Sequence, residues 1–394
     1  MALSGELKRI VRKVSYGGTG GRSRTVTAGL PAPSVTVDFA PTRRRGGQAR
    51  TRGRIGVGII ASMSITGGDF VELGRDLYAW LPPKRGWGLA NCGLLTSPRG
   101  AIWIDTPYDP VLAGQFLAES SKRLPEGASI DRVIVTHANG DHFWGAGVLP
   151  DAEIIATREA REHIHYEPTP KQQHALVQGS DPATALGEYL KRHFGTFDWS
   201  QTEPVQPTTY FTGELELTLG EYPVQVSALP AAHTTGDLIV HLPSQRTVFS
   251  GDVIFASTPQ QPGDHPVHWA GPLSHVIAAC EQVLATGAET IVPGHGPVLD
   301  PAGVRAHIGY LEYVRDRAHA LHAAGVPALE AARRVIGERR HPELGLAERL
   351  VVTIGSEYRQ LDGSELPGVL QVMTDVAVVA QEVAAQELSA QEGE

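Results

Sequence analysis

The stretch His137-Ala138-Asn139-Gly140-Asp141-His142 decides how this chain is read. It follows Val133-Ile134-Val135-Thr136, a β-branched apolar run that predicts a buried strand. Behind it comes Phe143-Trp144-Gly145-Ala146-Gly147, which predicts the first turn of a helix. A strand that ends in a loop with two imidazoles and a carboxylate can aim several donors at one point. Zinc, iron and manganese all accept such donors.

Three later segments repeat the pattern: Ala232-His233-Thr234, Ser250-Gly251-Asp252-Val253 and Pro293-Gly294-His295-Gly296-Pro297. Apolar residues (Val248-Phe249 before Asp252, Ile291-Val292 before His295) lead into a glycine-flanked turn with one ligand-type side chain. Glycine admits the positive φ and close backbone approach that a tight loop needs. A lone histidine beside a strand is more often a structural or surface residue. Four such segments in order, each at a strand end, reverse that judgement.

On these residues the chain resembles the metallo-β-lactamase-fold hydrolase superfamily, whose usual first motif is His-x-His-x-Asp-His. The resemblance spans roughly residues 65–300 and extends to a strand-turn-strand around Gly93-Leu94-Leu95 and Ala101-Ile102-Trp103-Ile104-Asp105-Thr106. It implies an α/β fold, an αββα four-layer sandwich with two metals at its mouth. By position, His137 and His233 would bind the first metal, Asp141, His142 and His295 the second, and Asp252 would bridge them. One or two zinc ions are expected, with iron or manganese compatible. Water shared between two such ions loses a proton near neutral pH and attacks a carbonyl or phosphoryl centre. Asp141 would orient it, and Asp105 would brace a ligand loop from behind.

The departure is Asn139, which stands where the family has a histidine. It ligates weakly and leaves two unequal metals, or the first site is empty and the enzyme mononuclear, or the site has decayed. Asp252 carries a carboxylate where the lactam-cleaving members place a cysteine or lack that carboxylate. Together with the lack of an evident export signal, this argues against an exported antibiotic-degrading lactamase.

Composition bounds the rest. The chain has 394 residues, 41% of them hydrophobic, enough for a sizeable core. Cys92 and Cys280 make no disulfide framework and fit a reducing cytoplasm. The apolar run at 55–66 is too short to span a bilayer, so no membrane association is expected. Residues 1–57 hold 12 Lys/Arg against 2 Asp/Glu, leaving 22 against 41 for the rest of a chain whose net charge is −9. The basic segment reads as a disordered extension, or as sequence upstream of a true start at Met63, in preference to a nucleic-acid or membrane tail. An acidic body argues against a nuclease, so no nucleic-acid partner is expected.

The expected organisation is a basic Gly/Arg-rich extension (1–62), a metallo-β-lactamase-like domain (63–300) with a helical roof (157–205), a C-terminal helical extension (301–366) and an acidic tail (367–394). Within the roof, helices are expected over 157–166 and 182–194, interrupted by Pro168 and Pro170; Trp144 and Tyr166 are the pocket candidates. Further helices are expected over 327–336 and 346–361, covering a sandwich edge or making a homodimer contact. After His295 the chemistry is expected to be finished. The functional expectation is a cytoplasmic hydrolase acting on an ester, thioester or lactone of a small organic molecule. A polyketide-type thioesterase/cyclase is the alternative, and a diiron redox protein or a metal-free binding protein is the alternative of another class.

Overall fold

The computed structural model describes residues 67–165, 167–365 and 367–392. The basic N-terminal extension and Tyr166 lie outside the described residues.

Alternating faces sort the strands into two sheets. The first contains β1 (Asp69–Gly74), β2 (Leu77–Leu81), β3 (Cys92–Ser97), β4 (Gly100–Ile104), β5 (Ile130–Ile134), β6 (Glu153–Thr157) and β7 (Thr209–Phe211), in that spatial order. The second runs β12 (Thr290–His295), β11 (Thr247–Phe255), β10 (Leu238–Leu242), β9 (Tyr222–Ala228), β8 (Glu214–Leu219). β4 shows why there are four layers. Ile102 and Ile104 pack with Val240, Leu242 and Phe249 of the opposite sheet, whereas Ala101 and Trp103 pack with Phe116 on the outer face. A strand buried on both sides needs helices outside it. The αββα sandwich is therefore the observed fold.

Helix α1 (Pro110–Ser121), capped by Asp109, covers the first sheet through Leu112 and Phe116. A single short turn, α2 (Gly140–Phe143), follows the motif loop and passes into a 3₁₀ turn at Trp144–Val148. Three helices make the insertion: α3 (Arg158–Ile164), α4 (Pro170–Gly179) and α5 (Ala185–Phe194). Here the expectation needs correction, because Pro170 starts a helix. It occupies the first turn, where no backbone donor is required, and Thr169 and Gln172 form a capping box around it.

The outer face of the second sheet is covered by α6 (Leu273–Ala285), α7 (Pro301–Ala323), α8 (Ala328–Gly337), α9 (Leu350–Asp362) and α10 (Val369–Glu392). Pro327 is the N-cap of α8 and not its first residue. The segment expected as one helix from 346 begins instead with a 3₁₀ turn at Ala347–Arg349. Cys92 and Cys280 are buried free thiols. No described helix is long and apolar enough to cross a membrane.

Candidate metal centre

Each ligand-type residue sits at the same end of the sandwich because each is held by a strand end. β5 leads into Thr136 and His137, α2 carries Asp141 and His142, and the β9–β10 connection carries His233. Asp252 lies within β11 and His295 closes the neighbouring parallel strand β12. The approach of those two strands requires glycine. A Cβ on Gly294 would fall 1.8 Å from Asp252 Oδ1. Gly251 has φ +53°, and a Cβ there would meet Thr136 Oγ1 at 2.7 Å.

Four imidazoles converge on Asp252. His142 Nε2 lies 3.1 Å from Oδ1, while His295, His233 and His137 Nε2 lie 3.3, 3.5 and 3.9 Å from Oδ2. Asp141 Oδ2 is 3.5 Å from His295 Nε2 and 4.0 Å from His142 Nε2. Two overlapping triads result, His137/His142/Asp252 and Asp141/His142/His295, each compact enough to hold a metal ion.

The other ring nitrogens are taken up behind the site, which fixes the tautomers. His233 Nδ1 donates to Val267 O at 2.7 Å and His295 Nδ1 to Leu89 O at 3.0 Å. His142 Nδ1 meets Asp105 Oδ2 at 2.8 Å. Asp105 also accepts from the backbone N–H and hydroxyl of Thr136, both at 2.7 Å. Having given its proton to Asp105, that hydroxyl accepts from His137 Nδ1 at 3.1 Å. Asp105 holds this post with φ +58°, a left-handed conformation costly for a residue with a Cβ. Every Nε2 is thereby presented inward, the usual arrangement behind metal-binding histidines.

The donor set fits a divalent cation. His137 Nε2 is buried without a hydrogen-bond partner, and His142 Nε2 and Asp252 Oδ1, also buried, have only each other at 3.1 Å, off good hydrogen-bond geometry, a costly state for polar atoms in one place. The charges point the same way. Burial works to raise Asp252, but His295, His142 and His233 outweigh it and hold the carboxyl well below its usual range. Burial opposes charge on His142 and His295 too. Asp252, Asp105 and Asp141 nevertheless push His142 well above the usual imidazole value, and Asp252 and Asp141 bring His295 to about 9. His137 moves the other way, driven well down by burial and then by His142.

The profile of the Metallo-beta-lactamase superfamily matches residues 85–295, a segment containing every one of these groups. This chain belongs to that superfamily. Solved structures similar to it include a metallo-beta-lactamase from Pontibacter korlensis, at 14% identity and TM-score 0.46, covering 62% of this chain and 99% of that one. The metallo-β-lactamase DIM-1 exposed to ceftazidime is 17% identical at TM-score 0.45, covering 64% and 99%. VMB-1 is 19% identical at TM-score 0.45, covering 62% and 97%. No curated protein sequence matches the chain.

Against the superfamily motif, Asn139 is the odd residue. It occupies the N-cap of α2 yet makes no capping hydrogen bond; its Oδ1 lies 2.7 Å from His233 Nε2. Val267 O only accepts, so His233 carries a proton on Nδ1. A contact this short with an amide oxygen is met by a proton on Nε2, by a cation shared between the two atoms, or by the amide turned to present its NH₂. Neither His163 nor His165 joins the cluster. His163 Nε2 bonds Glu167 at 2.9 Å and His165 is exposed.

The candidate centre opens into a cavity of about 460 Å³. Trp144 lines it, packed against Tyr108 at 5.1 Å between ring centroids. α4 and α5 contribute Leu176, Leu186, Leu190 and Phe194. No pattern in the sequence points to Trp87, Phe255 or Trp269, nor to the C-terminal contributors Arg349 and Met373. The cavity wall therefore continues past His295 in sequence. Phe255 had the best available signal, being in the same strand as Asp252; its ring stacks on His295 at 5.0 Å and 8°.

Proposed function

We propose that this protein is a metal-dependent hydrolase, with zinc as the expected ion, that cleaves an ester, thioester or lactone of a small organic substrate. Superfamily membership supports a metallohydrolase. The acyl reading is carried by one observation: the imidazole–carboxylate centre opens into a cavity walled mainly by apolar and aromatic side chains. His137, His233 and Asn139 would hold one ion and Asp141, His142 and His295 another, with Asp252 between them. Bound divalent ions supply Lewis acidity toward a carbonyl oxygen and lower the pKa of water.

The chain does the rest. Asp141, only half-buried at the cavity, is kept ionised by His142 and His295 against the effect of burial. Its ionised carboxylate accepts a hydrogen bond from the attacking water and orients it. Trp144, Leu190, Phe194 and Phe255 hold the acyl body and exclude bulk water. The cavity volume also suits a polyketide-type thioester, which is the second reading.

Chromogenic esters and thioesters of increasing acyl length, together with lactones, test the proposal. Turnover should vanish on chelation, return with zinc and peak at medium acyl length. Metal-loaded protein inert toward the whole series would overturn it.

A further inference from the structure

We propose that Arg349 is the specificity-determining residue of this cavity, taking the carboxylate of a substrate whose remaining body is apolar. This rests on the cavity being the substrate site.

Arg349 lies beyond the superfamily match, yet it lines the same cavity as Asp252 and His295. It is among the largest fully buried side chains, at 1% exposure. Its Nη1 donates to His265 O at 3.3 Å, and its buried Nε has no partner. Among the described residues it makes no ion pair within 4.0 Å. The adjacent Glu348 is engaged by the Tyr189 hydroxyl at 2.8 Å. Glu348 feels the charge of Arg349 but makes no contact ion pair with it, and a buried guanidinium without such a pair is expensive, because arginine cannot shed its proton. The backbone also bears strain here: Leu346, which heads the turn, has φ +54°.

The geometry selects the ligand. Trp87 lies 4.3 Å and Phe255 5.7 Å from the Arg349 guanidinium carbon, so aromatic rings pack against the group. With its faces packed and Nη1 engaged, the guanidinium keeps only its edge, where Nε has no partner, for a carboxylate to meet. Phe255 also stacks on His295, so one ring separates the anion subsite from the metal-binding residues. The recognised carboxylate is therefore a second group, remote from the scissile carbonyl. Leu186, Leu190, Phe194 and Met373 offer the chain between them only apolar contact. Asp141 and Glu167 also line the cavity and oppose a second negative charge.

Calorimetric titration of metal-loaded protein with octanoate and with octanamide tests this. Wild type should bind octanoate about ten-fold more tightly, as a charge-assisted pair allows. In R349Q that preference should collapse to about parity with octanamide affinity unchanged, and R349K should keep part of it. Equal binding of the two ligands by wild type would overturn the proposal, and so would an octanoate preference that survives in R349Q, which would seat the carboxylate on the metals. Should R349Q fail to fold, the wild-type and R349K titrations still decide. Octanoate discrimination by a protein that cleaves no acyl ester would sink the hydrolase reading and leave this one standing.

Discussion

The two halves of the site are built differently. The candidate metal half hangs on strand ends, and each of its four imidazoles is locked from behind by a carboxylate, a hydroxyl or a backbone carbonyl. The cavity half is assembled from α4, α5, α10 and the turn at Arg349, through side chains that make contact mostly by van der Waals packing. The first half has little freedom to change without losing its chemistry. The second can vary its surface residue by residue, which suits it to set what is bound.

The sharpest way to break this division is to damage the centre without touching a ligand. Gly294→Ala should displace Asp252, since the new methyl has no room beside Oδ1, and metal content should fall to below about a tenth of an ion per chain. Normal metal content in that variant would show the cradle to be less rigid than described. Next comes Asp105→Ala, which frees His142 and the Thr136 loop; a competition titration should show metal affinity weakened roughly 10–100-fold. On the other side, Met373→Ala should leave metal content unchanged and raise KM for a medium-chain ester about five-fold, with kcat preserved. A metal loss there would erase the distinction between the halves.

Acid provides the mildest perturbation. Burial, then His341 and Arg349, lowers His265 to about 3, and burial lowers His307 to about 4. Unfolded histidine titrates near ~6.5, so the unfolded chain takes up protons first as pH falls. The stability these neutral rings supply is complete above about pH 6.5 and is lost progressively toward pH 4 for His307 and pH 3 for His265. His265 bonds Tyr310 of α7, so the loss falls on the helical side. The melting temperature should drop by about 5 °C between pH 7 and pH 5, and a flat profile would contradict the assignment.

Legibility in the sequence followed the same division. The cradle could be read because its information is local: a short apolar run, a glycine and a donor, repeated at His137, His233, Asp252 and His295. The strand leading into it could be read from its β-branched apolar run at Val133-Ile134, which closes β5. Asp105 became visible through the superfamily resemblance and not through any pattern of its own. The cavity wall could not be read, because a lining residue has no periodicity of its own. Nothing near Arg349 in sequence announces that its helices fold back over Asp252. Helix α4 was missed for a different reason: prolines read as breakers, whereas one at the first helical turn is favourable.

The central claim is that this cradle binds metal with Asn139 as a participant. Metal content by mass spectrometry on tag-free protein, beside an Asn139→Ala variant, tests it most directly. The account predicts two ions per chain in wild type, falling toward one in the variant while the Asp141/His142/His295 triad stays filled. One ion in both proteins would remove Asn139 from the ligand set, and no metal in either would contradict the account at its root.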